Sequence, residues 1–114
     1  MRYSIAKIDT VVVARIRGDM WGKFDDTKLK TDIKAKVEEG ERRFVIDFEG
    51  ASALNSTGIG IVVSSLTTIQ RSGGKLRLCN LNQRVKATFE ITGIAKMLSI
   101  FDTAELALNV RWPD

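Results

Sequence analysis

The sequence predicts an α/β fold: one domain in which a sheet is built from strands joined by crossover helices. Three observations lead there. Strand-like and helix-like segments alternate along the chain, the helical segments carry apolar stripes at helical period, and glycines mark several of the turns between them. At 114 residues the chain fits a single ordinary domain, 1–114. No repeat, low-complexity stretch or linker divides it, and its one proline, Pro113, lies at the C-terminus.

Two strands open the chain. Tyr3, Ile5 and Lys7 alternate with Ser4 and Ala6, and Val11 to Arg17 follows after an Asp9-Thr10 step, which predicts an antiparallel hairpin. Gly18-Asp19 ends the second strand. Asp25 or Asp26 then offers an N-cap, and Leu29, Ile33 and Val37 recur every four residues up to a stop at Gly40. The next strand is Arg43 to Phe48, with Phe44, Ile46 and Phe48 on one face, followed by a loop from Glu49 to Leu54.

Beyond Asn55-Ser56-Thr57-Gly58, the residues Ile59, Val62, Val63, Leu66 and Ile69 form a helical stripe. The β-branched run Ile61-Val62-Val63 and the pair Thr67-Thr68 favour a strand locally, but the sustained period and the length argue for a helix. Gly73-Gly74 turns into a strand, Lys75 to Cys79. Val85, Thr88 and Phe89 mark a third helix closed by Gly93, with Ile94 placed for the contact that accompanies such a stop. Leu98 to Phe101 reads as extended. Asp102-Thr103-Ala104-Glu105 reads as a capping box opening a last short helix that holds Ala104 and Leu108.

Composition narrows the functions open to such a domain. A hydrophobic fraction of 44% with 28% charged residues describes a folded chain. No apolar run is long enough to span a membrane, so no membrane insertion is expected. The opening residues, Met-Arg-Tyr-Ser-Ile-Ala-Lys, lack the pattern of a secretory signal, so a cytoplasmic location is expected. There is no histidine, which removes the Ser-His-Asp and Cys-His arrangements and most zinc sites. Cys79 is the only cysteine, so no intrachain disulfide or cysteine-based metal site can form, and it reads as a buried structural thiol. No convergent catalytic set remains; neither an enzyme, a metal site nor a cofactor is expected.

The formal net charge is +4. Lys28, Lys30, Lys34 and Lys36 are interspersed with Asp32, Glu38 and Glu39, the pattern of a solvated helix face. Arg42-Arg43 is the densest basic pair, and Lys75 and Arg77 fall on one side of a later strand. With no aromatic platform beside these charges, direct nucleic-acid binding is not expected.

The central segment carries a recognisable pattern. Phe44-Val45-Ile46-Asp47-Phe48-Glu49-Gly50 and then Leu54-Asn55-Ser56-Thr57-Gly58-Ile59-Gly60 resemble the signature of STAS domains, and within them the bacterial anti-sigma factor antagonists. Gly73-Gly74-Lys75, Val85 to Phe89, Thr92-Gly93-Ile94 and Phe101-Asp102 continue the match in order and spacing; it is weakest before Arg42.

The resemblance implies a STAS-type domain with a mixed sheet of four or five strands and about four helices. It also implies a protein that binds an ATP-dependent anti-sigma factor serine kinase when unphosphorylated and releases it when phosphorylated, with a phosphatase resetting the switch. The phosphoacceptor falls on Ser56, framed by Thr57, Gly58 and Gly60. One position departs from the pattern: Asn55 stands where the family usually has Asp, which leaves open a version of the domain that binds its partner constitutively. A non-phosphorylated STAS subunit of a scaffold or transporter complex is the alternative. Oligomeric state is not legible.

The residues support the switch on their own chemistry. Ser56 lies at a helix start, where unpaired N–H groups and the helix dipole favour an anion, and a phosphate adds a charge of about −1.5 to −2 there. Gly58 and Gly60 keep that end open to an approaching backbone. The plainer reading makes Ser56 an N-cap. The stretch is not a nucleotide loop, because no Gly-Lys-Ser/Thr follows. It also spells a glycosylation sequon, which a cytoplasmic chain would not use. Trp21 reads either as packing over the core edge or as an exposed partner anchor. Asp47 reads as a strand end and Glu49 as a solvated loop residue.

Overall fold

A computed structural model describes residues 2–20 and 24–113. The predicted hairpin is present: β1 (Arg2–Ile8) and β2 (Val11–Arg17) pair antiparallel through Asp9-Thr10, with Asp9 at φ 53°. Then follow α1 (Phe24–Glu38), β3 (Arg43–Gly50), α2 (Ser56–Arg71), β4 (Lys75–Cys79), α3 (Gln83–Ile91), a 3₁₀ turn (Ile94–Met97), β5 (Ser99–Phe101) and α4 (Ala104–Asn109). The five strands lie side by side in chain order, and β2 to β5 are mutually parallel.

Chain order in the sheet explains where the helices sit. Every crossover advances in the same direction, and right-handed crossovers then place their helices on one face. That face holds the main core, where Phe44, Ile46 and Phe48 meet Leu29 and Ile33 of α1, the α2 stripe, and Val85 and Phe89 of α3. Phe89 meets the Phe48 ring edge-on at 6.1 Å, a favourable aromatic geometry.

The α2 stripe is buried at Ile59, Val62, Leu66 and Ile69. Each such side chain contributes about 2 kcal/mol on burial, whereas a β-branched residue in a helix costs at most about 0.7 kcal/mol. Burial therefore overrides local propensity.

The second face carries a core of its own, which the sharing of one face by Phe44, Ile46 and Phe48 does not reveal. Val45, Val11, Val13 and Cys79 form a second core against Ala107 of α4 and Trp112. Trp112, which lies beyond the last predicted element, covers this layer.

Arg77 is buried there rather than presented as surface charge. Its Nη1 donates to the carbonyls of Ala107 and Val110, and its Nη2 to that of Arg111, while its guanidinium stacks 3.8 Å from the Trp112 ring and 4.8 Å from Phe101. A flat cation between two rings, bonded to carbonyls at a helix end, is a stable arrangement without a carboxylate.

Three element boundaries move from expectation. Asp25 and Asp26 lie inside the first turn of α1, which begins at Phe24. Strand β3 runs through Glu49 to Gly50, because Gly50 pairs with Arg17 across a register shift. The last helix is capped by Thr103, whose side chain accepts the Leu106 N–H, rather than by Asp102.

Candidate functional site

The site is built at the carboxyl ends of the parallel strands, where open α/β sheets commonly place their binding surfaces. Two loops are zipped together beneath it. Gly18 N–H donates to Gly50, Met20 N–H to Ala53, and Asn55 N–H to Met20, and Met20 and Leu54 form a parallel bridge. Met20 is fully buried. From the other side, Asn82 caps α3 through the Val85 N–H and donates its Nδ2 to the carbonyls of Ala51 and Ser52. The β3–α2 loop is thus held from both flanks, and the start of α2 is fixed.

Asn55 is the N-cap of α2: its Oδ1 accepts the Gly58 N–H at 2.9 Å. The plainer reading of Ser56 as the cap is therefore corrected. Ser56 occupies the first helical position and is exposed, as is Thr57. The N–H groups of Ser56 and Thr57 have no preceding turn to bond into, which leaves donors and the positive helix end beside the hydroxyl.

The two glycines have different roles. Gly58 is buried, and a Cβ placed on it would lie 2.4 Å from the Met20 carbonyl oxygen and 3.1 Å from Leu54. It is a packing glycine that lets the helix start settle onto the β2–α1 loop, not part of an approach surface. Gly60 is exposed with nothing within 4 Å of its would-be Cβ, and it stands one turn below Ser56 on the same side of α2. That outer side continues through Ser64 and Thr67, and α2 has no charged residue before Arg71. In a chain that is 28% charged, a solvent-facing helix side without charge departs from the usual polar face. Trp21 lies outside the described residues.

Asp47 is a mid-strand residue, 3% exposed. Its Oδ1 accepts from the Glu49 N–H and from Asn80 Nδ2, and Arg15 lies 3.8 Å from its Oδ2. Asn80 takes up φ 57° as β4 ends, a conformation Asn tolerates. This network fastens the strand ends together. Beside it, burial first and then the Asp47 charge push the Cys79 thiol up to about 12. Cys79 is accordingly a buried, unreactive thiol, as its apolar neighbours in the sequence suggest. Among the described residues no cluster of metal-ligating side chains occurs, and no helix is long and apolar enough to cross a membrane.

With this geometry in view, the family follows. The STAS domain family model matches residues 2–107, and the chain belongs to that family. BtrV of Bordetella bronchiseptica, provisionally named an anti-sigma factor antagonist, is 28% identical over 107 residues, 94% of this chain and 91% of the relative. The anti-sigma F factor antagonist of Paenibacillus polymyxa is 21% identical over 87% of this chain and 85% of the relative.

Among solved structures, a Thermotoga maritima protein provisionally assigned to the same class superposes with TM-score 0.85 at 20% identity, covering 93% of this chain and 91% of the other. The Bacillus cell fate determinant SpoIIAA in its phosphorylated form gives 0.76 at 19% identity, covering 96% of this chain and 100% of the other. At these identities the likeness is one of fold: a single STAS-type α/β domain with a five-stranded mixed sheet and four α-helices, as the sequence predicts.

Proposed function

We propose that this protein is an anti-sigma factor antagonist: a binding protein, not an enzyme, that engages an anti-sigma factor serine kinase through the start and outer face of α2. Phosphorylation of Ser56 releases the partner, and a phosphatase restores binding. The observation that carries this reading is the exposed, uncapped Ser56 hydroxyl at the head of an uncharged helix face, on a loop fixed from both flanks. The names of the relatives support the class of partner.

The physics of the switch is local. The free N–H groups and the dipole of α2 stabilise a dianion at Ser56, so the domain tolerates the modification. The partner seated on the uncharged face meets that charge in a desolvated contact, where an unpaired charge is costly. Asn55 holds the helix start through its side-chain oxygen and leaves the Ser56 hydroxyl outside the cap.

The reading is tested by capture from native cell extract with wild-type protein and Ser56→Asp, with identification of the proteins lost, and by mass spectrometry of the native protein for phosphate on Ser56. Loss of an ATP-binding anti-sigma factor from the Asp capture supports it. Identical captures together with unmodified Ser56 under all growth conditions contradict it.

A further inference from the structure

The second face of the sheet is only half covered. Trp112 and α4 close its lower half over Val11, Val13 and Val45; among the described residues nothing covers the half toward the carboxyl ends of β2 and β3. Arg2, Arg15 and Arg17 stand there, all exposed, and Arg2 is directly opposite Arg17 in the β1–β2 register. Two adjoining clefts of about 290 and 300 Å³ share Arg15 and Arg17 as walls.

Like charges facing each other across two strands destabilise a sheet. Among the described residues neither Arg2 nor Arg17 forms an ion pair; of the three arginines, Arg15 pairs with Asp47, at 3.8 Å. A cationic cluster that the fold neutralises only in part, through Asp47 at Arg15, leaves Arg2 and Arg17 to fit an anionic partner.

Three features narrow the partner's class. Asp47 and Glu49 line one of the clefts, which disfavours a phosphate-dense polyanion or lipid surface and suits a chain with spaced carboxylates. Among the described residues that line the clefts, the aliphatic Ile16 is buried and the one aromatic, Tyr3, packs half-buried against the main core with its hydroxyl on Asp32, so neither offers a bilayer anchor or a free platform for bases. It also abuts β1, the edge strand, beside which an extended peptide can lie.

We propose that the open half-face lined by Arg2, Arg15 and Arg17 is a docking surface for an acidic, extended segment of a partner protein. The guanidinium groups take its carboxylates in forked pairs, and its backbone follows the edge of β1. This goes beyond the Ser56 reading, and its test uses unphosphorylated protein with no kinase present, so either can fail alone.

The test is titration of the ¹⁵N-labelled full chain with a synthetic peptide of alternating Glu and Thr, followed by amide chemical shifts. Saturable shifts on β1 and on Ala14 to Arg17 are expected. They should weaken with added salt, disappear when Gln replaces Glu in the peptide, and weaken at least about fivefold in Arg2→Gln/Arg17→Gln. That double variant should melt no lower than wild type, because the facing repulsion is removed. A lower melting temperature assigns the arginines to packing and overturns the proposal. So does the absence of saturable shifts up to about 1 mM peptide, unchanged affinity in the double variant, or tighter arginine-dependent binding to phosphatidylserine vesicles or single-stranded DNA than to the peptide.

Discussion

Asn55 Oδ1 accepts the Gly58 N–H at 2.9 Å, and that single bond determines what Ser56 is free to do. With the cap supplied by its neighbour, Ser56 presents its hydroxyl to solvent at the first helical position. Asn55→Ala should therefore cost about 1 kcal/mol, whereas Ser56→Ala should cost less than about 0.5 kcal/mol. Urea unfolding of both variants checks the order; a larger loss for Ser56→Ala would return the capping role to Ser56. Asn55→Asp keeps the cap and restores the usual family residue, and it should raise the rate of Ser56 phosphorylation by a cognate kinase in a radiolabel time course.

Gly58 and Gly60 should respond in opposite directions to alanine. At Gly58 the new Cβ meets the Met20 carbonyl at 2.4 Å and the fixed backbone cannot yield cheaply, so a loss of about 1–3 kcal/mol is expected. At Gly60 the methyl enters open space in a helix interior and should stabilise the fold by about 0.5–1 kcal/mol. Thermal melts of the two single variants decide this. The same Gly60→Ala protein should bind its partner more weakly despite being more stable, because the added methyl lies on the uncharged face.

These contrasts show where the sequence was legible. The helical stripe on α2, the hairpin at Asp9-Thr10 and the alternation of strands and helices of an α/β sheet follow from periodicity and turn chemistry, and they stand as expected. Asn55 and Ser56 are adjacent and both are good caps, so the sequence alone does not say which one takes the Gly58 N–H. Gly58 reads as an opening in the sequence because its neighbour in space, Met20, is 38 positions away in the chain.

Arg77 and Trp112 escaped for a related reason. An arginine in a strand reads as solvated unless the carbonyls that bind it, here on residues 107 to 111, are known to fold back over it. The signal available was Trp112 itself: a large aromatic after the last helix needs a surface to cover.

Trp112→Ala should accordingly destabilise the domain by about 3 kcal/mol, since it uncovers the second core and removes the stacking partner of Arg77. Denaturant unfolding with matched m-values measures the loss. A change under about 1 kcal/mol would show that the C-terminal tail is dispensable to the sheet.

Cys79 should be inert to thiol reagents at pH 8 in the native state and react only on unfolding, because its pKa is pushed up to about 12. The sign for stability follows. The folded chain holds the thiol proton to higher pH than the unfolded chain, whose thiol ionises near pH 8.5. This contribution is complete below that value and is lost as pH rises from there toward about 12. Rapid labelling of folded protein would contradict it, and Cys79→Ala should flatten the alkaline fall in stability.

The central claim concerns Ser56 as a switch, and the most direct measurement is calorimetric affinity of wild type, Ser56→Ala and Ser56→Asp for the anti-sigma factor kinase partner, beside melting curves for all three. The Ala variant should bind within about threefold of wild type, and the Asp variant at least about tenfold more weakly, equivalent to about 1.4 kcal/mol. All three should remain folded, with Asp at least as stable as Ala because the start of α2 favours negative charge. Equal affinities for folded Ala and Asp variants, together with no phosphate on Ser56 in protein from native cells, would contradict the account.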